Sequence, residues 1–349
     1  MDAWGERLVN EHRLGAEGLR SLLTECDPDT LTLLRNNAAE VTHSHFGRRI
    51  YIRGLIEVSN YCRNNCYYCG IRRDNRNVSR YRLTDEQILG CCQVGYDLGF
   101  RTFVMQGGED GALTDERLVP LVARLHSRFP DCAITLSLGE RSDDSYQALY
   151  DAGARRYLLR HETASPELYA QLHPASMSWH NRIACIKRLK DIGYQTGMGM
   201  MVGVPGQTVE HLVQDLLLLQ EVRPQMVGIG PFIPHSQTPL GCHPAGSVDM
   251  TLRLLSIVRL LLPTALIPAT TALASLSPDT QMQGILSGAN VVMPNLSPAD
   301  VRRSYEIYEG KASFGSEAAE GLKLLAEQLS KIDYQINYDI GNYIEEVSL

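Results

Sequence analysis

Three cysteines fall within eight residues, Cys62-Arg63-Asn64-Asn65-Cys66-Tyr67-Tyr68-Cys69, a C-x3-C-x2-C array. Thiolates are the usual ligands of iron–sulfur clusters, and three on one loop leave one iron of a 4Fe-4S cubane without a protein ligand, free to bind a substrate. Zinc is the rival occupant. Structural zinc takes four nitrogen or sulfur ligands, and no fourth Cys or His follows Cys69 at finger spacing, which favours the cluster. Cys26, Cys91, Cys92, Cys132, Cys185 and Cys242 are scattered. An odd total with three crowded together argues against a disulfide framework and for reduced, cytosolic thiols, the scattered ones filling core positions.

Other chemistry-bearing residues sit where apolar runs end. Gly107-Gly108-Glu109 follows a candidate strand. Backbone without side chains lets a ligand approach closely, and a carboxylate can meet an ammonium; a plain βα turn is the alternative. Arg160, Glu162 and Thr163 close another run and bring a cation, an anion and a hydroxyl together, as ligand-binding groups or as an internal ion pair. The Gly- and Pro-bearing run 201–208 is open to the same two readings. His43 and His45 read as a solvated turn. The chain has no Walker-type phosphate loop, no G-x-G-x-x-G opening a helix and no G-x-S-x-G elbow, which removes support for nucleotide hydrolases, dehydrogenases and serine esterases.

Elements must position these residues. Short strand candidates at 51–58, 102–106, 133–138, 156–159, 196–202, 226–231, 266–269 and 290–293 alternate with helical segments, several of which open on cap residues: Thr84-Asp85-Glu86, Ser165-Pro166-Glu167 and Ser277-Pro278-Asp279. Eight βα units predict an α/β fold, a (β/α)8 TIM-type barrel with its chemistry at the carboxyl ends of the strands. Leu19, Leu22, Leu23, Leu31, Leu33 and Leu34 recur at roughly helical spacing, so residues 1–48 form an N-terminal helical extension capping the barrel. Residues 49–310 form the barrel and 311–349 a tail packing on it, helical in its first half. No fixed-period repeat or low-complexity tract interrupts this plan.

Composition narrows the partners. A net charge of −7 supplies no global positive field, so nucleic acid is not expected. The first fourteen residues mix charges with apolar residues and lack a secretory h-region. The apolar stretch 252–262 is broken by Arg253 and Arg259 and is too short to span a bilayer. It reads as a core helix, and the chain as a cytoplasmic protein without a membrane partner.

The array after the first strand, with an aromatic residue, Tyr68, just before the third cysteine, resembles the radical S-adenosylmethionine (SAM) superfamily. Further stretches resemble its HydE family of FeFe-hydrogenase maturases: Cys69-Gly70-Ile71-Arg72-Arg73-Asp74-Asn75, Gln106-Gly107-Gly108-Glu109-Asp110, Thr135-Leu136-Ser137-Leu138-Gly139-Glu140 and Tyr157-Leu158-Leu159-Arg160-His161-Glu162-Thr163, then the runs 201–208, 228–235, 267–272 and 289–295. The resemblance spans about 51–310.

The resemblance implies an enzyme with a 4Fe-4S cluster on Cys62, Cys66 and Cys69. It implies SAM held by Tyr68, Gly107, Gly108, Glu109, Ser137, Arg160, Glu162 and Arg182, and cleaved reductively to methionine and a 5′-deoxyadenosyl radical. The implied substrate is a small organometallic iron complex with cysteine, carbon monoxide and cyanide ligands, lying against Thr135, Met226, Thr270, Tyr305 and Tyr308. The two tyrosines are spaced i, i+3, on one side of an expected helix. A reduced flavodoxin- or ferredoxin-type electron donor and other hydrogenase maturases are the implied partners. Many HydE-like proteins carry a C-terminal cysteine group that can hold an accessory cluster, whereas no cysteine follows Cys242, so one cluster is expected. The rivals are a methylornithine-synthase-like mutase or a biotin-synthase-like sulfur inserter acting on an organic, amino-acid-derived substrate, and a non-catalytic iron–sulfur carrier.

Overall fold

The computed structural model describes residues 3–24, 27–311 and 318–345; Cys26 lies outside them. Three helices open the chain: α1 (Ala3–Glu11), α2 (Ala16–Thr24) and α3 (Pro28–Phe46). α2 buries Leu19, Leu22 and Leu23, the stripe expected from their spacing. The Asp27 carboxylate caps α3 by accepting the Thr30 N–H, and Pro28 occupies its first turn. His43 and His45 belong to the last turn of this helix and not to a solvated turn. Nothing in the sequence stops α3 before Gly47, whose φ of 65° ends it, and His43 Nε2 lies 2.6 Å from the Tyr334 hydroxyl.

The strands are β1 (Arg49–Ile52), β2 (Gly54–Ser59), β3 (Thr102–Gly107), β4 (Ala133–Ser137), β5 (Ala154–Leu158), β6 (Gln195–Val202), β7 (Met226–Pro231), β8 (Val291–Val292) and β9 (Gln335–Asn337). β2 to β7 form one parallel sheet in chain order. β2 and β7 are buried along their whole length, as befits a sheet covered on both faces. Side chains still alternate between the barrel interior and the helix-covered exterior.

The last two strand positions are reduced. Leu266 bridges Met226, Pro268 bridges Val291, and Asn295 bridges Leu55, so the ring closes through a bridged segment and the two-residue β8. Pro263, Pro268 and Pro294 lack the N–H groups a regular ladder needs here. β1 pairs with β8 and with β9 from the chain's end.

Thr84, Ser165 and Ser277 cap the helices that follow them, as their sequence context predicts. The apolar stretch near 252–262 lies in the helix Val248–Leu261, buried throughout 254–261 and packed on α3. Among the described residues no helix is long and apolar enough to cross a membrane.

Candidate active site

β2 ends at Ser59 and the cysteine array follows at once. Residues 60–82 form an irregular loop whose backbone must find partners locally. Arg80 lies beneath it and donates to the carbonyls of Asn60, Ile71, Arg72 and Asn75, one planar fork serving four oxygens. Buried Asn75 donates to the Gly70 carbonyl at 2.6 Å. Asn60 donates to the Ser79 and Ser304 carbonyls and accepts the Tyr81 N–H. A Cβ at Gly70 would lie 2.1 Å from the Glu306 carbonyl oxygen, so the close approach of the chain there requires glycine.

The end of β3 passes directly under the first thiol. A Cβ at Gly108 would lie 2.3 Å from the Tyr61 carbonyl oxygen and 2.7 Å from Cys62 Cβ. Glu109, next in line, accepts the Glu140 N–H at 3.0 Å and pairs with Arg63 at 3.0 Å. Asp110 accepts from the Ser59 hydroxyl at 2.6 Å and pairs with Arg82.

None of the three cysteines is in a disulfide. Burial pushes all three thiols up, Cys69 to about 12, with the other thiols of the array adding to the rise at Cys66 and Cys69. Three adjacent thiolates therefore need a cationic partner. Among the described residues no three His, Cys, Asp or Glu side chains converge on a point suited to a single ion. The thiols instead line one wall of a cavity, which suits a multi-iron cubane taking one thiolate per iron better than tetrahedral zinc.

That cavity, about 320 Å³, runs from the loop into the barrel. Tyr68, Gly107, Gly108, Glu109 and Ser137 line its upper wall together with the cysteines. Arg160, Glu162 and Arg182 line the next sector, and Thr270, Tyr305 and Tyr308 the far side.

Local geometry explains how the charged groups face inward. Glu162 sits at φ 66°, a costly conformation for a residue with a side chain. Between it and Arg160, His161 is fully buried in the opposite direction. His161 Nδ1 accepts the Gly199 N–H at 3.3 Å, and Nε2 lies 3.2 Å from Asp215 Oδ1, which also accepts the Ala164 N–H. This clamp holds the turn so that Arg160 and Glu162 meet across 3.3 Å at the cavity. Arg182 donates to Glu140 Oε1 at 2.6 Å and to the Arg160 carbonyl at 2.7 Å. Burial disfavours its charge, yet Tyr169 and Glu140 hold its pKa above the ordinary guanidinium value.

Tyr68 is set by a neutral histidine. Burial lowers the His173 pKa to about 3; its Nδ1–H donates to the Tyr169 carbonyl at 2.9 Å, which leaves Nε2 to accept the Tyr68 hydroxyl at 3.1 Å. The Met177 thioether lies 3.7 Å from Cys66 Sγ.

Deeper in, polar atoms lose their partners. Arg160 Nε and Thr270 Oγ1 are buried without a partner, and so are Thr135 Oγ1 and Arg53 Nε and Nη2, while Arg160 Nη2 and Glu162 Oε2 make no hydrogen bond beyond their 3.3 Å ion pair. Thr135 and Met226 are not on the cavity wall. Thr135 lies one pleat below Ser137 on β4, and Met226, at the start of β7, accepts from Arg53 Nη1 at 3.1 Å.

Tyr305 and Tyr308 reach the cavity without the expected helix, which ends at Arg302. The segment's backbone is committed across the mouth instead: Gly70 N–H donates to the Ile307 carbonyl and Glu309 N–H to the Pro234 carbonyl. Sequence reasoning missed Arg80, the His161–Asp215 pair and Gln106, which donates to the Tyr305 hydroxyl at 3.4 Å. It also missed Glu57, buried in β2, paired with Lys311 and accepting from Asn295 at 2.9 Å. A carboxylate inside an apolar strand is a readable signal; nothing local marks Lys311.

A family profile for the Radical SAM superfamily matches residues 56–219. The chain is 45% identical over 274 residues to the FeFe hydrogenase maturase subunit HydE of Thermotoga maritima, covering 78% of each protein. It is 29% identical over 322 residues to 3-methylornithine synthase of Methanosarcina acetivorans, covering 92% of this chain and 89% of that protein. The crystal structure of methylornithine synthase (PylB) superposes with a TM-score of 0.83 at 26% identity, covering 96% of this chain and 97% of that one.

Proposed function

This chain belongs to the radical SAM superfamily and, within it, to the HydE family; from that premise we propose that it matures FeFe hydrogenase, advancing assembly of the di-iron subcluster from an iron precursor carrying cysteine, carbon monoxide and cyanide. One observation carries the proposal: a single cavity joins the three-thiol loop to a barrel wall that bears the Arg160–Glu162 ion pair and buried, unpartnered atoms of Arg160 and Thr270. A cofactor place and a place for a polar substrate thus adjoin.

Cys62, Cys66 and Cys69 hold one 4Fe-4S cluster. When bound, it supplies the electron that splits SAM into methionine and a 5′-deoxyadenosyl radical. Glu109 accepts from the methionyl ammonium, and bare backbone at Gly107 and Gly108 admits that end of the molecule. Arg182 and Arg160 offer planar forks to carboxylates. Glu162 accepts from ribose hydroxyls, while Ser137 and Tyr68 complete the upper wall. Thr135, Met226, Thr270, Tyr305 and Tyr308 shape the substrate's side, and the closed ring excludes water and aligns the reacting groups. The same reading takes 1–48 as a cap, 49–310 as the catalytic barrel and 311–349 as a packing tail. It places the protein in the cytoplasm, served by a flavodoxin- or ferredoxin-type reductant and working with other maturases.

A second reading, a mutase on an amino-acid-derived substrate, is favoured by the near full-length likeness to methylornithine synthase. A cluster carrier has no use for the unpartnered groups. Anaerobic reconstitution separates the carrier, which forms no 5′-deoxyadenosine from SAM when reduced, from either enzyme. Deleting the gene separates the enzymes: inactive hydrogenase apoprotein with intact biotin and pyrrolysine supply supports maturation, and an auxotrophy with active hydrogenase overturns it.

A further inference from the structure

The loop that carries the thiols is charged against the trend of the chain. Residues 60–82 contain six arginines and one acidic residue in a protein of net charge −7. Arg80 is committed to backbone carbonyls, and Arg63 and Arg82 are offset by Glu109 and Asp110. Arg72 is half-buried, and Arg73 and Arg76 remain on the exposed face. Among the described residues Arg73 pairs only with its neighbour Asp74, at 2.9 Å, with 61% of its side chain exposed. Arg76 makes no ion pair among the described residues.

From this face we infer a docking surface for an acidic one-electron carrier protein. The inference rests on the radical SAM reading, since only a redox cluster needs such a partner. Its argument is position and sign. The three thiols belong to this same loop, so a protein seated on its outer face is separated from them by the loop alone. The interior face is covered by the segment at 303–310, whose backbone bonds to Gly70 and Pro234 cross the mouth. The loop is held in shape by Arg80, Asn60 and Asn75 before any partner arrives, which lowers the ordering cost of docking. A positive patch on an otherwise acidic protein orients an acidic partner toward the cluster and away from the rest of the surface. Per transfer the carrier loses one electron and the cluster gains it.

The test is the double variant Arg73→Glu/Arg76→Glu in reconstituted protein. Formation of 5′-deoxyadenosine is driven either by a reduced, strongly acidic flavodoxin or by the methyl viologen cation radical. The expected result is a fall of about tenfold in the flavodoxin-driven rate, no loss with viologen, and a wild-type flavodoxin rate that falls with added salt while the viologen rate does not. Equal flavodoxin rates in variant and wild type, with viologen rates intact, overturn the docking face and leave the enzyme reading standing. Absence of product from wild type with viologen overturns the enzyme reading itself, and the docking face with it. Should the double variant lose the viologen rate through misfolding, Arg73→Gln/Arg76→Gln carries the same comparison with a smaller expected fall.

Discussion

The upper rim of the cavity and its deep wall are built on opposite principles. At the rim nearly every polar group has a protein partner: Glu109 with Arg63 and Glu140, Arg182 with Glu140, Tyr68 with His173, and the loop carbonyls with Arg80. On the deep wall Thr270 Oγ1 and Arg160 Nε are buried with none, and Thr135 and Arg53 bury further such atoms below it. Buried polar atoms without partners are costly, about 1–3 kcal/mol each. A protein that carries several in one place is spending stability on groups that a ligand completes. On the proposed function the rim is a finished seat for a constant cofactor, whereas the deep wall is finished only by its substrate.

The contrast can be broken most sharply at the thiols. Cys69→Ala should reduce 5′-deoxyadenosine formation to background and remove the SAM-responsive EPR signal of the reduced cluster. Retention of both would remove the rim from the mechanism. Next in size is Arg80→Met, which strips four carbonyls of a charged donor. A loss of about 3 kcal/mol in urea unfolding is expected, with cluster loading reduced more than the fold itself. An unchanged unfolding midpoint would show that water serves the loop equally well.

Thr270→Val tests the deep wall with the opposite sign. Replacing an unpartnered buried hydroxyl by a methyl group of similar size should raise stability by about 1 kcal/mol while weakening substrate binding roughly fivefold to tenfold and leaving SAM affinity unchanged. The matching rim substitution, Ser59→Ala, removes a hydroxyl bonded to Asp110 and should destabilise. If both changes move stability the same way, the distinction between the two regions is wrong.

The smallest effect is a pH dependence. His173 titrates near 6.5 when unfolded and is lowered by burial to about 3 when folded. Between those values the unfolded chain binds more protons, so stability falls as pH falls through that window, by at most about 1.4 kcal/mol per unit. Urea unfolding at pH 7.5 and 5.5 should show wild type losing about 1 kcal/mol more than His173→Asn; equal losses would place the acid sensitivity elsewhere.

Much of this is legible in the sequence. The thiol spacing, the strand–helix alternation and the caps at Thr84, Ser165 and Ser277 are written within a few residues of themselves, and periodicity and capping are local physics. The same locality misled at 303–310, where the i, i+3 tyrosines suggested a helix whose backbone instead bonds to Gly70 and Pro234. It misled again at His43 and His45, absorbed into a helix that ends only at Gly47.

What the chain alone determined, then, is which chemistry is present: three thiolate donors on one loop at the carboxyl end of the first barrel strand, with charged residues at the ends of others. Only the folded molecule decided which polar groups are satisfied and which are left open. Lys311 meets Glu57 across 254 residues of chain and Asp215 meets His161 across 54, while Thr135 drops one layer below the cavity. Such pairings depend on strand register and ring closure, which place distant residues together by packing that no local pattern encodes.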